Sequence, residues 1–241
     1  MKKIDYGIDA PHVIRNLFIF SAVGFLVPVF FPLIKIGKYD VYTSGFLWMG
    51  FSCGLMAAWM LLYSVYGKLK HRDRILNMVD WKGNEMVLDV GTGRGLLAIG
   101  AAKRLTTGKS TGIDIWNAQD LSGNKPERTK QNITAEEVTG KTEVLSMDIT
   151  ATTFADRSFD VVLSNLCLHN ISSSAGRDKA CAEIYRILKE NGTAVISDFK
   201  HTAGYSAAFT KLGMTVTKTG TYYLDTFPPL TIITAKKLMP E

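Results

Sequence analysis

Hydrophobic and polar positions follow two different rules in this chain. From Leu17 to Ile34, and again from Gly45 to Tyr66, apolar residues continue without one charged side chain. From Val87 onward, short apolar runs alternate with segments of helical period: Val87–Val90, Ser110–Ile113, Thr142–Ser146, Ser158–Asn165 and Thr193–Ser197 read as strands. Leu96–Leu105, Pro126–Val138, Ala175–Lys189 and Tyr205–Leu212 read as helices between or after them. Regular alternation of this kind predicts an α/β fold, a doubly wound and mostly parallel sheet covered on both faces. Two final strands, Met214–Leu224 and Leu230–Ala235, follow one another without a helix, so the sheet should hold seven strands, with these two as an antiparallel pair at its edge and the last strand antiparallel.

The uncharged runs predict a transmembrane helical hairpin ahead of that sheet. The run Leu17–Ile34 would be about 27 Å long as a helix, near the ~30 Å of a hydrocarbon core. A cleaved signal peptide is the competing reading, but the run is long, no small-x-small site closes it, and a second run follows. Spans are expected at about 17–36 and 43–66, the first kinked by Pro28 and Pro32. Gly50, Gly54 and Ala58 form a smooth stripe that serves either packing against the first span or a homodimer. Tyr63 and Tyr66 stand where interfacial aromatics would. Lys68, Lys70, Arg72 and Arg74 beyond them, with Lys2, Lys3 and Arg15 at the other end, favour a cytoplasmic position for the domain that follows, although Lys35 and Lys38 weaken the asymmetry. The segment Lys68–Met78 is either a helix on the lipid surface or the first helix of the next domain. Residues 1–79 are thus expected to be an integral membrane anchor and 80–241 a separate domain.

Composition narrows the partners. With 241 residues, 46% hydrophobic and 21% charged, the chain can bury a sizeable core. Its net charge of +6 is modest, and no nucleic-acid-binding motif accompanies it, so nucleic acid is not expected as a partner. Cys53, Cys167 and Cys181 have neither disulfide-framework nor metal-ligand spacing, and no metal is expected.

The chemistry is concentrated at Val87-Leu-Asp-Val-Gly-Thr-Gly-Arg-Gly95, where an apolar strand enters a glycine-rich turn and then a helix. Glycines at alternate positions allow close approach of a ligand to backbone N–H groups. A dinucleotide site prefers Gly-x-Gly-x-x-Gly. Here Asp89 precedes the first glycine by two residues, and a carboxylate inside the site repels a pyrophosphate but suits a ligand with an ammonium group. Asp114 ends the next strand, roughly 20 residues after the turn, where nucleoside-binding folds place the acid that holds ribose.

On these residues the sequence resembles the class I, seven-strand S-adenosylmethionine-dependent methyltransferases, over about Val87 to Lys237, and within them most closely the quinone-biosynthesis C-methyltransferases and other small-molecule enzymes. The resemblance implies S-adenosylmethionine as cofactor, bound by Asp89, Gly91, Thr92, Gly93, Gly95, Asp114, Ile115, Asp148, Ile149 and Asn165. In that assignment Asp89 lies near the methionine ammonium, Asp148 with Ile149 faces the adenine, and Asn165 offers its carbonyl either to the cofactor or to an amine acceptor. The expected activity is transfer of a methyl group to a small, lipophilic acceptor entering from the membrane side. His169, after the fourth strand, is the candidate general base, against a packed or solvent-facing histidine. Cys167 reads as a small buried hydrophobe. The alternative function is a non-catalytic membrane sensor or scaffold that retains the fold; a dinucleotide reductase is a more distant reading.

Overall fold

The structure is a computed structural model that describes residues 4–239. Lys2 and Lys3, two of the residues weighed for membrane orientation, lie outside them. Helix α1 (Pro11–Phe30) and helix α2 (Phe46–Leu62) pack against one another as a hairpin. By length and composition α1 and the continuous helical stretch Thr43–Leu76, of which α2 is the apolar part, can cross a membrane, and they leave Phe18, Phe20, Val29, Trp48, Phe51 and Leu55 exposed. The first apolar run does not continue as helix to residue 36. Phe31 precedes Pro32 and turns extended, with φ −135°, because the proline ring disfavours helical backbone in the residue before it. Strands β1 (Leu33–Ile36) and β2 (Tyr39–Tyr42) then form a short antiparallel ribbon turning at Gly37.

Two glycines of the stripe face α1. The Ser21 hydroxyl donates to the Gly50 carbonyl at 2.8 Å, and a Cβ on Gly24 would stand 2.4 Å from the Gly50 nitrogen. Ala58 is exposed instead and Ala57 buried, since a four-residue step drifts off a helix face with 3.6 residues per turn. The stripe thus serves the hairpin within one chain.

Helix α2 passes through a π-helical turn, Tyr63–Gly67, into α3 (Lys68–Leu76). Helix α3 is not a free surface helix. Ile75 and Leu76 are buried with Val87, Leu97, Val161, Leu163 and Val195, so the packed core of the sheet domain begins upstream of Asp80.

The remaining elements are β3 (Met86–Val90), α4 (Leu96–Ala102), β4 (Lys109–Asp114), α5 (Pro126–Ala135), β5 (Thr142–Ser146), β6 (Phe159–Asn165), α6 (Ser174–Ile187), β7 (Leu188–Asp198), α7 (Thr202–Lys211), β8 (Thr215–Tyr222) and β9 (Leu230–Lys236). The seven strands from β3 onward lie in the order β5-β4-β3-β6-β7-β9-β8. Strand β9 is the one strand of the seven that runs against the others; the missing helix accounts for its antiparallel pairing with β8, and β9 inserts between β7 and β8 so that β8 forms the edge. The order reverses between β3 and β6, which opens a crevice at the carboxyl ends of β3, β4 and β6. One element exceeds its expected length. Asn191-Gly192 does not cap α6; it lies inside the eleven-residue β7, where the Asn191 N–H donates to the Lys237 carbonyl and the Gly192 carbonyl accepts from Lys237.

Candidate active site

The crevice is built from the ends of β3, β4, β6 and β7. Beyond β3, Gly91, Gly93 and Gly95 all take positive φ, at 73°, 52° and 85°. Gly91 has a packing reason as well, because a Cβ there would stand 2.4 Å from the Cβ and Sγ of Cys167. The N–H groups of Gly91 and Thr92 both donate to the Ile113 carbonyl, locking the turn against β4.

Asp89 is 2% exposed, and its Oδ2 accepts from the Thr92 hydroxyl at 2.8 Å and from the Ala98 N–H in α4 at 2.9 Å. One of its oxygens is therefore occupied in holding the turn to the start of α4, a role the sequence reading did not include. Burial pushes its carboxyl up to about 7; the two hydrogen bonds oppose that rise and Asp114 adds to it. Asp114 is buried with both oxygens engaged. Oδ2 accepts from the Gly93 N–H at 2.8 Å; Oδ1 accepts from the Trp116 N–H at 2.6 Å and the Asn124 side chain at 3.3 Å. Ile115, the next residue, is 66% exposed, an apolar side chain standing open at a strand end. Asp148 is exposed just past β5 and accepts the Thr150 N–H, while Ile149 is buried in the core.

On the other side of the crevice, Asn165 ends β6 with its amide oxygen buried and unpartnered. His169 follows in a short helical turn. Its Nδ1 lies 2.8 Å from Oδ1 of Asp198, close but not aligned as a hydrogen bond, and its ring packs edge-on against Phe199 at 4.6 Å. Asp198 is fully buried and also accepts the backbone N–H groups of His169 and Phe199. Around Cys167 the carboxylates of Asp114, Asp198, Asp89 and Asp120 add to burial in pushing its thiol far up, so this cysteine is inert as a nucleophile.

The site also has a cover. Residues 5–10 run across the loop after Asp114, with Ser122 N–H donating to the Ile8 carbonyl and Ala10 N–H to the Asp120 carbonyl. Arg94, from the glycine turn, is 7% exposed, pairs with the Asp5 carboxylate at 2.5 Å and donates to the Ser122 carbonyl. Lys68 is buried and donates to the Tyr6 and Gly7 carbonyls at 2.9 and 2.5 Å. Burial pushes its amine down, and Asp9 at 3.6 Å opposes that shift.

The structure thus gathers Asp89, the glycines, Thr92, Asp114, Ile115, Asn165 and His169 at one crevice, and puts Asp148 at the end of the neighbouring β5. Sequence reasoning missed Asp198, Arg94, Asp120 and the arm at residues 5–10. Asp198 carried a signal, being the acid just beyond the fifth apolar run. The arm carried none, because its polar residues read as a plain flank to a hydrophobic span.

Residues 88–196 match the family model described as a methyltransferase domain. The chain is 32% identical over 122 residues to a ubiquinone/menaquinone biosynthesis C-methyltransferase UbiE of Geotalea daltonii, covering 50% of this chain and 48% of that protein. It is also 32% identical over 136 residues to a demethylmenaquinone methyltransferase of Tropheryma whipplei, covering 56% and 50%. The chain spans about half the length of these curated relatives. In fold it is similar to a SAM-dependent methyltransferase from Aquifex aeolicus, with a TM-score of 0.56, 18% identity and coverage of 71% of this chain and 92% of that one. The segment from residue 88 to 196 thus matches a methyltransferase domain, and the seven-strand, Rossmann-like sheet that holds it is similar in fold to that SAM-dependent methyltransferase.

Proposed function

We propose that the protein is a membrane-anchored methyltransferase that moves the methyl group of S-adenosylmethionine to a small, lipophilic acceptor. The observation that carries the reading is the convergence, inside the matched segment, of the glycine turn with the carboxylates of Asp89, Asp114 and Asp120 around Cys167, joined by Asp198 just beyond its end. That set suits a ligand bearing a sulfonium and an ammonium, and it would repel a pyrophosphate. Lipophilicity of the acceptor is supported by the exposed apolar hairpin leading straight into the sheet domain and by the names of the relatives, which act in quinone biosynthesis.

The residues present fit the cofactor. Asp114 holds the turn and the Trp116 loop with the geometry of a ribose site, Ile115 offers an open apolar surface beside it, and Asp148 stands exposed as an acceptor for the adenine amino group. Asp89, Gly91, Thr92, Gly93 and Gly95 form the cradle for the methionine end, and buried Ile149 backs the adenine side. When bound, the cofactor supplies a methyl group already activated by positive sulfur. The chain then has to align the acceptor with that methyl and exclude water. The arm at residues 5–10 and the end of α2 provide the exclusion. His169, with Nδ1 beside Asp198, leaves Nε2 to take the acceptor's proton as the new bond forms.

In this reading the hairpin anchors the site at the cytoplasmic face of a membrane, a side supported by the basic residues that follow the second apolar run, and the arm and α3 belong to the catalytic unit. The test is calorimetric titration of the full-length, detergent-solubilised protein with S-adenosylmethionine, followed by transfer of labelled methyl to a membrane lipid extract. Binding together with label in the organic phase is expected. Absence of binding overturns the cofactor assignment; label confined to water-soluble products overturns the acceptor class.

A further inference from the structure

Between β8 and β9 the chain turns through residues 223–229, and the tip of that turn is apolar. Leu224 is 83% exposed, the most exposed large hydrophobic side chain among the described residues, and Tyr223 beside it is 68% exposed. The turn is held in place from both sides. The Thr226 hydroxyl donates to the Tyr222 carbonyl and accepts from the Leu230 N–H, which closes its base. The Asp225 carboxylate takes both arms of the Arg74 guanidinium and pairs with Lys70 at 2.9 Å, which fixes the turn to α3. The Asp225 carbonyl also lies against Gly67, where a Cβ would stand 3.1 Å from it. Gly67 directly follows the second uncharged run, and Leu62, Val65, Tyr66 and Leu69 are exposed around it. With successive Cα atoms about 3.8 Å apart, Tyr223 and Leu224 have their Cα atoms within about 8 Å of that of Asp225, close to where the turn crosses the helix.

We propose that Tyr223 and Leu224 seat in the interfacial layer of the bilayer that the hairpin enters, a membrane contact of the sheet domain itself in addition to the two spans. The proposal rests on the reading of the hairpin as a membrane anchor and adds the orientation of the sheet domain against the lipid. Three features favour lipid as the occupant. The apolar tip continues the exposed apolar surface of the helix end to which it is fixed, whereas an exposed leucine standing alone would need no explanation. A tyrosine next to a leucine suits the interface, where the ring lies among the upper acyl chains and its hydroxyl stays in the headgroup layer. The one carboxylate of the turn, Asp225, is neutralised by Lys70 and Arg74, and Lys70 is itself 68% exposed, so the surface beside the tip does not repel anionic headgroups. The direction of the strands supplies the consequence. Strand β8 is antiparallel to β9, and β9 is antiparallel to β7, so β8 runs with the parallel strands and its turn emerges at their carboxyl edge. That is the edge at which the crevice opens. A lipid contact there turns the crevice toward the bilayer and shortens the path of an apolar acceptor through water.

The experiment uses the full-length protein with Cys53→Ala in nanodiscs of mixed phosphatidylcholine and phosphatidylglycerol. An environment-sensitive fluorophore is attached to one introduced cysteine at a time: Leu224→Cys at the tip, Thr139→Cys in the exposed loop before β5 on the opposite edge of the sheet, and Leu55→Cys on the outer face of α2. The protein without an introduced cysteine sets the background. Lipids with a nitroxide near the headgroup end of the chain are expected to remove about half or more of the emission at position 224 and to leave position 139 unchanged, while aqueous iodide should quench position 224 about threefold less than position 139. Nitroxide placed deep in the chain should quench position 55. Quenching at 55 with position 224 open to iodide and untouched by lipid nitroxide means that the tip stands in water, and the proposal falls while the anchor reading stands. If position 224 is shielded from iodide and also untouched by lipid nitroxide, protein covers the tip, as in contact with a second copy, and the proposal falls as well. Absence of lipid quenching at position 55 overturns the anchor reading itself. Should the labelled Leu224→Cys protein fold poorly, the same label on Tyr223→Cys answers the same question.

Discussion

The two carboxylates that flank the glycine turn differ in what occupies them. Asp114 spends both oxygens on donors from the turn and the following loop, yet a carboxylate has about four lone-pair positions and retains room for ribose hydroxyls. Asp114→Asn is expected to weaken S-adenosylmethionine by roughly 1.5–3 kcal/mol, the scale of hydrogen bonds to charged groups, and to lower the melting temperature as well, because its amide NH2 must face one of the N–H donors that the carboxylate now accepts from. Equal Kd values for variant and wild type would remove the ribose assignment. Asp89 makes a pH prediction. With its carboxyl pushed up to about 7 by burial, it is mostly protonated at pH 6 and mostly ionised at pH 8. Only the ionised form attracts a cation, so affinity for S-adenosylmethionine should rise from pH 6 to pH 8, and Asp89→Asn should flatten that rise. The same shift acts on folding with the opposite sense. A raised carboxyl favours the folded state below the unfolded value near 4, and that contribution is lost as pH climbs through 7. At His169, replacement by Gln keeps the size and a hydrogen-bonding end but cannot accept a proton at neutral pH. The expected result is a kcat lower by about 10²-fold with cofactor affinity unchanged, measured by single-turnover methyl transfer. An unaltered kcat would return His169 to a packing role against Phe199.

Among the elements, α3 shows how a basic and apolar mixture misleads. Its lysines and arginines fit a lipid surface, but each has a specific place. Arg74 lies over the Tyr222 ring at 3.8 Å and pairs with Asp225, Lys70 pairs with the same carboxylate, and His71 contacts the Ser197 hydroxyl at 2.7 Å. These contacts tie the membrane exit to β7 and to the loop before β9. Leu76, 1% exposed in the core, should cost about 2–5 kcal/mol when cut to alanine, read by chemical denaturation of the solubilised protein. A loss below 1 kcal/mol would show that α3 is only a linker. Strand and helix order from β3 to β9 was legible because apolar period and turn residues agree there, segment by segment. The termination of α1 before Pro32 was less legible, because a hydrophobicity run does not distinguish helix from the extended ribbon that follows. The length of β7 was hidden for a related reason: Asn191-Gly192 has the composition of a helix stop, and only pairing with Lys237 on the neighbouring chain segment draws it into the sheet.

For the whole molecule, the arrangement proposed here puts the β1–β2 ribbon and the catalytic crevice on opposite sides of a bilayer. An introduced cysteine at Lys38 should be labelled by an impermeant thiol reagent from outside intact cells, and one at Lys125 should be protected; the reverse pattern would invert the topology. The sequence by itself determined the order of the elements from β3 to β9, the glycine turn with its two acids, and the two uncharged runs, since each of these is written in local period, spacing and composition. Tertiary structure alone decided that Gly50 and Gly54 face α1, that residues 5–10 cover the crevice, that Asp198 stands beside His169, and that Tyr63 is buried at the end of the hairpin. Those contacts join residues far apart along the chain, and they depend on where the hairpin meets the sheet, which no local pattern encodes.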